Sequence, residues 1–292
     1  LVTLNERIGA AEIAGAPRLR AIANVGVGYN NLDLDALSAA GVAEAVVPVT
    51  YMNSSADIKA FCGRHDGVVC TSSNAKRALD WAFASKDDAA TPASMPTKVL
   101  FLPDQHLGRN TAVLDMGFSL DDCVVWDPHR PGGGLSEQQL HDARVILWKG
   151  HCSVHGRFTA EVCRELRRTL PGVQLLVHPE CRHEVVLEAD LVGSTEFIIN
   201  TVRAAPPGSV WAIGTELNLV RRLANEHPEQ QITFLDKTVC YCSTMNRIDL
   251  PHLVWALESL ASGTVVNRIS VDADTEHWAR VALERMLALP GA

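Results

Sequence analysis

Three short runs in the second half of the chain gather thiols, imidazoles and one carboxylate: Gly150-His151-Cys152-Ser153-Val154-His155, His178-Pro179-Glu180-Cys181 and Val239-Cys240-Tyr241-Cys242-Ser243-Thr244-Met245. A thiolate is a soft ligand suited to zinc or an iron–sulfur cluster, and a cluster can recruit cysteines that lie far apart in sequence. Cys240 and Cys242 stand too close for the C-x₂₋₄-C knuckle of a structural zinc site, and no second pair follows at finger distance. A dispersed cluster is the chemistry these residues favour, with Cys240 and Cys242 both open as ligands from spacing alone. Cys62, Cys123 and Cys163 lie in or beside apolar stretches and read as small buried hydrophobes.

The elements that must position these residues follow from periodicity. From Val46 onward, short apolar runs rich in β-branched residues alternate with amphipathic stretches of helical length, the pattern of a parallel sheet covered by helices. The expected strands are Val46–Val49, Gly67–Cys70, Val99–Leu102, Val145–Trp148, Gln174–Val177, Val210–Ile213 and Ile232–Leu235. Ligands of such sheets bind outside the strand C-termini, where helix N-termini offer free N–H groups. The polar residues fall there: Tyr51 and Asn53, Thr71 to Asn74, Asp104 to His106, Cys152 and His155, His178 and Glu180, Thr215 and Glu216, and Cys242. Thr159 is the expected N-cap of a helix to Leu170, Asp274 the expected cap of the last helix, and Leu250 to Leu260 a further amphipathic helix. Trp255 and Trp278 are expected in the core. Ser85–Thr97 and Asp127–Leu135 read as loops; the glycine triplet in the second lacks the Lys-Ser/Thr of a phosphate loop.

The chain has 292 residues, 47% of them hydrophobic, enough for at least one large core and by length for two units. A net charge of −8 and the lack of any Lys/Arg run argue against nucleic acid as a partner. The apolar runs fall far short of the roughly 20 residues of a membrane helix, and no basic and apolar leader opens the chain. Eight cysteines are too few for a disulfide scaffold at this length and suit a reducing compartment, so a cytoplasmic protein is expected. The chain does not begin with Met, so Leu1 need not be the natural start.

Over about residues 45–287 the motifs resemble the quinolinate synthase family. The resemblance rests on Thr50-Tyr51-Met52-Asn53-Ser54-Ser55-Ala56-Asp57-Ile58-Lys59-Ala60, Cys70-Thr71-Ser72-Ser73-Asn74-Ala75, Leu102-Pro103-Asp104-Gln105-His106-Leu107-Gly108, Trp148-Lys149-Gly150-His151-Cys152-Ser153-Val154-His155, Val177-His178-Pro179-Glu180, Val192-Gly193-Ser194-Thr195 and Cys242-Ser243-Thr244-Met245, in family order. It implies an α/β fold of repeated three-layer α/β/α domains with parallel sheets in a pseudo-threefold arrangement, and a [4Fe-4S] cluster with one cysteine from each domain. The implied reaction condenses iminoaspartate with dihydroxyacetone phosphate to quinolinate, phosphate and water, in de novo NAD biosynthesis. L-aspartate oxidase or aspartate dehydrogenase is the implied functional partner. By the same resemblance Cys152 and Cys242 are cluster ligands; Glu180, His178 and Tyr51 are catalytic; and Tyr51, Met52, Asn53, Ser72, His155, His178, Glu180, Ser194 and Thr195 bind substrate. The Ser-Thr-Met that trails Cys242 favours it over Cys240, and Cys70 and Cys181 are not ligand positions.

The first part of the chain departs from this pattern. Pro17 to Asp33, with Asn24-Val25-Gly26-Val27-Gly28-Tyr29-Asn30-Asn31, resembles a substrate-domain fragment of the D-2-hydroxyacid dehydrogenases, without their G-x-G-x-x-G. The expected organisation is a foreign segment at 1–44 that largely replaces the first domain, a middle α/β domain at 45–150, a third at 151–240, and a cluster loop with helices returning to the first domain at 241–292. The family's first cluster cysteine precedes the segment that opens at Thr50, whereas the first cysteine here is Cys62. A weakened cluster and little activity are therefore expected, with a non-functional chimera or an NAD-dependent 2-hydroxyacid dehydrogenase fragment as alternatives.

Overall fold

The computed structural model describes residues 2–3, 14, 23–24, 46–84, 97–236, 242 and 245–289. It divides into two compact units, Leu1–Gly150 with Asp274–Ala292, and His151–Ala273. Strands β1 (Val2–Thr3) and β2 (Ala23–Asn24) form a short parallel pair. The rest of the segment expected to be foreign, 1–44, lies outside the described residues apart from residue 14, as do residues 85–96 of the expected loop and Cys240.

The sheet of the first unit is built from β3 (Val46–Tyr51), β4 (Val68–Cys70), β5 (Lys98–Leu102), β6 (Cys123–Trp126) and β7 (Val145–Trp148), all parallel, in the order β4-β3-β5-β7-β6. Val47, Val49, Val68, Val69, Val99, Phe101, Val145 and Leu147 are fully buried, because parallel strands with helices on both faces leave neither side to water. Pro48 is tolerated in central β3 because pairing with β4 begins only at Val49. Three helices cover this sheet, α1 (Ala56–Arg64), α2 (Ala75–Ala84) and α3 (Gln105–Asn110), with the short α4 (Glu137–Asp142) before β7. Ser55 caps α1, and Asp104 caps α3 by accepting from the N–H groups of His106 and Leu107 at 2.9 and 2.8 Å.

The second unit contains β8 (Gln174–Val177), β9 (Leu191–Val192), β10 (Val210–Gly214) and β11 (Gln231–Phe234) in the parallel order β11-β10-β8-β9. Its helices are α5 (Ala160–Thr169), α6 (His183–Glu188), α7 (Thr195–Ala204), α8 (Leu217–Glu226) and α9 (Leu250–Ala261). Thr159 caps α5 as expected, its hydroxyl accepting from the N–H of Val162. In both sheets the first strand is flanked by the second on one side and the third on the other. The chain therefore reverses direction across β3 and across β8, and it is at such switch points that loops part to leave a crevice.

Four local expectations change. Edge strand β6 and the two-residue β9 were not expected, since both are short and β6 is bounded by acidic residues rather than by turn glycines. The last helix, α10 (Ala273–Leu287), begins one residue before Asp274, which lies in its first turn rather than at its cap. Trp255 is not a core residue: it is 47% exposed, and no residue of α9 is buried. An apolar stripe at helical spacing shows which face is fit for burial, but not that another element covers it. The Asp127–Leu135 loop contains a tight turn at Pro131–Gly134, where Gly132, Gly133 and Gly134 all have positive φ.

Candidate active site

The C-terminal edge of the second sheet is shaped by its ladder. The N–H of His178 donates to Gly214 O at 3.0 Å and that of Gly193 to Val177 O at 3.1 Å, so the chain leaving β8 is held from both neighbouring strands. A tight turn follows. The N–H of Cys181 donates to His178 O at 3.0 Å and that of Glu180 to His178 Nδ1 at 3.3 Å, which folds the carboxylate back over the imidazole. Glu180 Oε2 then lies 3.2 Å from His178 Nδ1 and 3.3 Å from His155 Nδ1. The two rings stack with centroids 4.7 Å apart and planes 19° from parallel.

All three side chains are buried, His155 at 7%, His178 at 2% and Glu180 at 5% exposure, so water does little to screen their coupling. The Glu180 N–H already occupies the His178 Nδ1 lone pair, so the neutral ring carries its proton on Nε2 and the approach of Oε2 to Nδ1 is an electrostatic contact rather than a hydrogen bond. The three groups thus form a close, electrostatically coupled cluster. Burial, and next the neighbouring His155, push the His178 pKa down to about 3 despite the opposing pull of Glu180, and its imidazole is neutral at pH 7. Thr215, buried after β10, sets its hydroxyl 3.4 Å from His155 Nε2. Sequence reasoning placed Thr215 at a strand end but gave it no role; only the β8–β10 pairing brings it to His155.

One donor atom each from Cys152, His155 and Glu180 lie within 4.8 Å of one another. Cys242 packs against the same hydrophobic core as Cys152, and its Sγ accepts the N–H of Met245 at 3.4 Å. Among the described cysteines only Cys152 and Cys242 are partly exposed. Burial pushes the thiols of Cys62, Cys70 and Cys181 well up and those of Cys123 and Cys163 to about 11, which keeps them protonated and inert. The donor chemistry therefore fits a thiolate-ligated group at Cys152, beside an imidazole and a carboxylate, with Cys242 a second accessible thiol on the same core, and it supports the packing role of Cys62, Cys70, Cys123, Cys163 and Cys181.

Ser194 and Thr195 stand after β9 on the same sheet edge. Ser194 caps α7, its hydroxyl accepting from the N–H of Phe197 at 3.3 Å, and Thr195 opens the helix. Glu216 also proves to be a helix cap, accepting from the N–H groups of Asn218 and Leu219. In the first unit Tyr51 ends β3 with its side chain buried, Met52 donates its N–H to Cys70 O at 2.7 Å, Asn53 is exposed, and Ser72 is half-buried in the turn after β4. Asn74 closes that turn by accepting from the N–H of Thr71 at 2.7 Å.

With this geometry in place, the profile of the family NadA, quinolinate synthetase A protein, matches residues 16–288. The chain belongs to the quinolinate synthetase A family. Its curated relatives agree: it is 74% identical over 257 residues to a quinolinate synthase of a Nocardioides species, covering 88% of this chain and 64% of that protein. It is 67% identical over 258 residues to the quinolinate synthase of Streptomyces coelicolor, covering 88% and 63%, and 54% identical over 247 residues to that of Rhodopirellula baltica, covering 84% and 60%. The chain spans just under two thirds of the length of the curated relatives it matches. The profile reaches back to residue 16, inside the segment expected to be foreign to the family. Among the described residues no helix is long and apolar enough to cross a membrane.

Proposed function

We propose that this chain carries the quinolinate synthase reaction, the condensation of iminoaspartate with dihydroxyacetone phosphate to quinolinate with loss of phosphate and water. The observation that carries this reading is the convergence of Cys152, His155, His178 and Glu180 at one strand edge in a member of this family. Cys152 and Cys242 would hold a [4Fe-4S] cluster, which when bound would supply Lewis acidity toward a substrate hydroxyl. Isomerisation, imine formation and ring dehydration each require a proton to move at carbon, nitrogen or oxygen. Glu180 is the group assigned to that work, since its buried carboxylate is the acidic side chain of this cluster, with Oε2 3.3 Å from His155 Nδ1 and 3.2 Å from His178 Nδ1. Neutral His178 can donate a hydrogen bond from Nε2, and His155 faces Glu180 with one ring nitrogen and the Thr215 hydroxyl with the other. Tyr51, Met52, Asn53 and Ser72 in the first unit, and Ser194 and Thr195 in the second, are assigned to substrate carboxylate and phosphate oxygens.

The finer organisation belongs to the same reading: repeated three-layer domains in a pseudo-threefold arrangement, a cytoplasmic enzyme, and L-aspartate oxidase or aspartate dehydrogenase as supplier of the imine. Anaerobic reconstitution with iron and sulfide, followed by chromatographic assay of quinolinate, tests this reading: a cluster spectrum that is lost in Cys152→Ala and in Cys242→Ala is expected, with quinolinate formed only by the reconstituted protein. Glu180→Gln should abolish turnover and leave the spectrum intact. Loss of the spectrum in Glu180→Gln would make the carboxylate a ligand and overturn its proton-transfer role. The dehydrogenase-like reading of residues 1–44 competes with a family profile that starts at residue 16. The nucleotide sequence around codons 42–46 in independent clones decides between a natural fusion and a join artefact.

A further inference from the structure

The turn that follows β3, Tyr51 to Ser55, lies at the first sheet's switch point, and a half-buried ammonium lies under it. Lys59, on α1 and half-buried, directs Nζ to Met52 O at 2.8 Å, Ser54 O at 2.5 Å and Ser54 Oγ at 3.3 Å. A lysine on the first turns of an exposed helix face ordinarily extends its ammonium to water; this one is drawn inward by converging oxygens. An ammonium has three N–H donors and all three are met, so Lys59 has none to offer a ligand. Whatever it does for substrate it does through the turn.

Peptide geometry says what that is. In a trans peptide the C=O and the following N–H point in opposite directions. With the carbonyls of Met52 and Ser54 drawn down onto Nζ, the N–H groups of Asn53 and Ser55 must face away from Lys59, on the open side of the turn. Three further groups of the turn are engaged in other bonds. Met52 donates its N–H to Cys70 O, Ser54 donates its N–H to Met52 O at 2.8 Å, and Ser55 Oγ accepts from the N–H of Ile58. The turn is therefore a one-sided arrangement, with carbonyls inward on a cation and N–H groups outward. An outward pair of N–H groups backed by a fixed positive charge suits a carboxylate or phosphate oxygen, in a chain whose net charge of −8 otherwise repels anions.

We propose that Lys59 is the positioning residue of this turn: by gathering the Met52 and Ser54 carbonyls it turns the Asn53 and Ser55 N–H groups outward to receive one carboxylate of a dicarboxylate ligand. This rests on the reading of Tyr51 to Asn53 as a substrate-binding segment and adds the group that shapes it.

The test uses the full chain and phthalate, whose adjacent carboxylates mimic an aromatic dicarboxylate, followed by ¹H–¹⁵N amide NMR together with amide exchange and thermal unfolding. In wild type the Asn53 and Ser55 amides should shift on titration. Lys59→Met keeps the length of the side chain and removes the charge; the phthalate Kd should rise about tenfold or more, and the Ser54 amide should exchange about tenfold faster. Lys59→Arg keeps the charge, but its planar fork cannot converge on three oxygens at one point, so its Kd should lie between the two, at least about threefold above wild type. Wild-type affinity in Lys59→Met overturns the proposal. If Lys59→Met does not fold, wild-type affinity in Lys59→Arg overturns it equally. Should wild type itself fail to bind phthalate, the dicarboxylate reading of this segment falls. The Ser54 exchange rate in Lys59→Met then decides the positioning role, an unchanged rate refuting it.

Discussion

A buried imidazole held neutral makes folding depend on pH. The folded pKa of His178, about 3, lies below its unfolded value of roughly 6.5, so the unfolded chain takes up a proton first as pH falls. The stabilisation is complete above pH ~6.5 and drains away toward pH ~3, at a slope approaching 1.4 kcal/mol per pH unit. Urea unfolding of the metal-free protein between pH 7 and 4 should show this slope in wild type, and a shallower one in His178→Gln, which has nothing to protonate there. Parallel profiles for the two proteins would refute the assignment. The motif His178-Pro179-Glu180 was legible as chemistry because imidazole and carboxylate two residues apart at a strand end are rarely idle. That His155 stacks on His178, with Thr215 behind it, was not legible, because residues so far apart in sequence meet only through the sheet.

Elements differ sharply in how much their apolar residues contribute. Leu175 on β8 is fully buried in the second unit's core, whereas Leu257 on α9 is 57% exposed. Leu175→Ala should cost about 2–5 kcal/mol through lost transfer energy and the cavity left behind. Leu257→Ala should change stability by less than about 0.5 kcal/mol. Denaturant melts of the two variants measure the contrast, and equal losses would show that α9 is packed in solution. Strand positions were readable because a run of β-branched residues bounded by polar turns has few other uses. The Thr159 cap was readable because its hydroxyl acts within one turn of chain. Coverage was not: the stripe Leu250, Leu253, Val254, Leu257 has helical spacing whether or not another surface lies on it.

At the scale of the whole molecule the first unit is closed by a segment from the other end of the chain. Helix α10 packs so closely on α1 that a Cβ on Gly63 would lie 1.9 Å from Trp278 O, a backbone atom that cannot swing aside. Arg285 fastens the contact, donating to Gly63 O at 3.2 Å and Gly67 O at 2.9 Å. Gly63→Ala should therefore destabilise this unit by more than about 2 kcal/mol, although alanine in a helix interior normally stabilises. Calorimetry showing an unchanged or raised Tm would mean that α10 does not dock there. The sequence by itself determined the alternation of strand and helix, the parallel class, the Thr159 cap and the family motifs, since each is written in periodicity or in contacts within a few residues. Only the tertiary structure decided the order of strands across β3 and β8, the meeting of Cys152, His155, His178 and Glu180, the inward turn of Lys59, and which apolar faces are covered. Those depend on where crossover connections deliver distant segments, and local pattern carries no record of that destination.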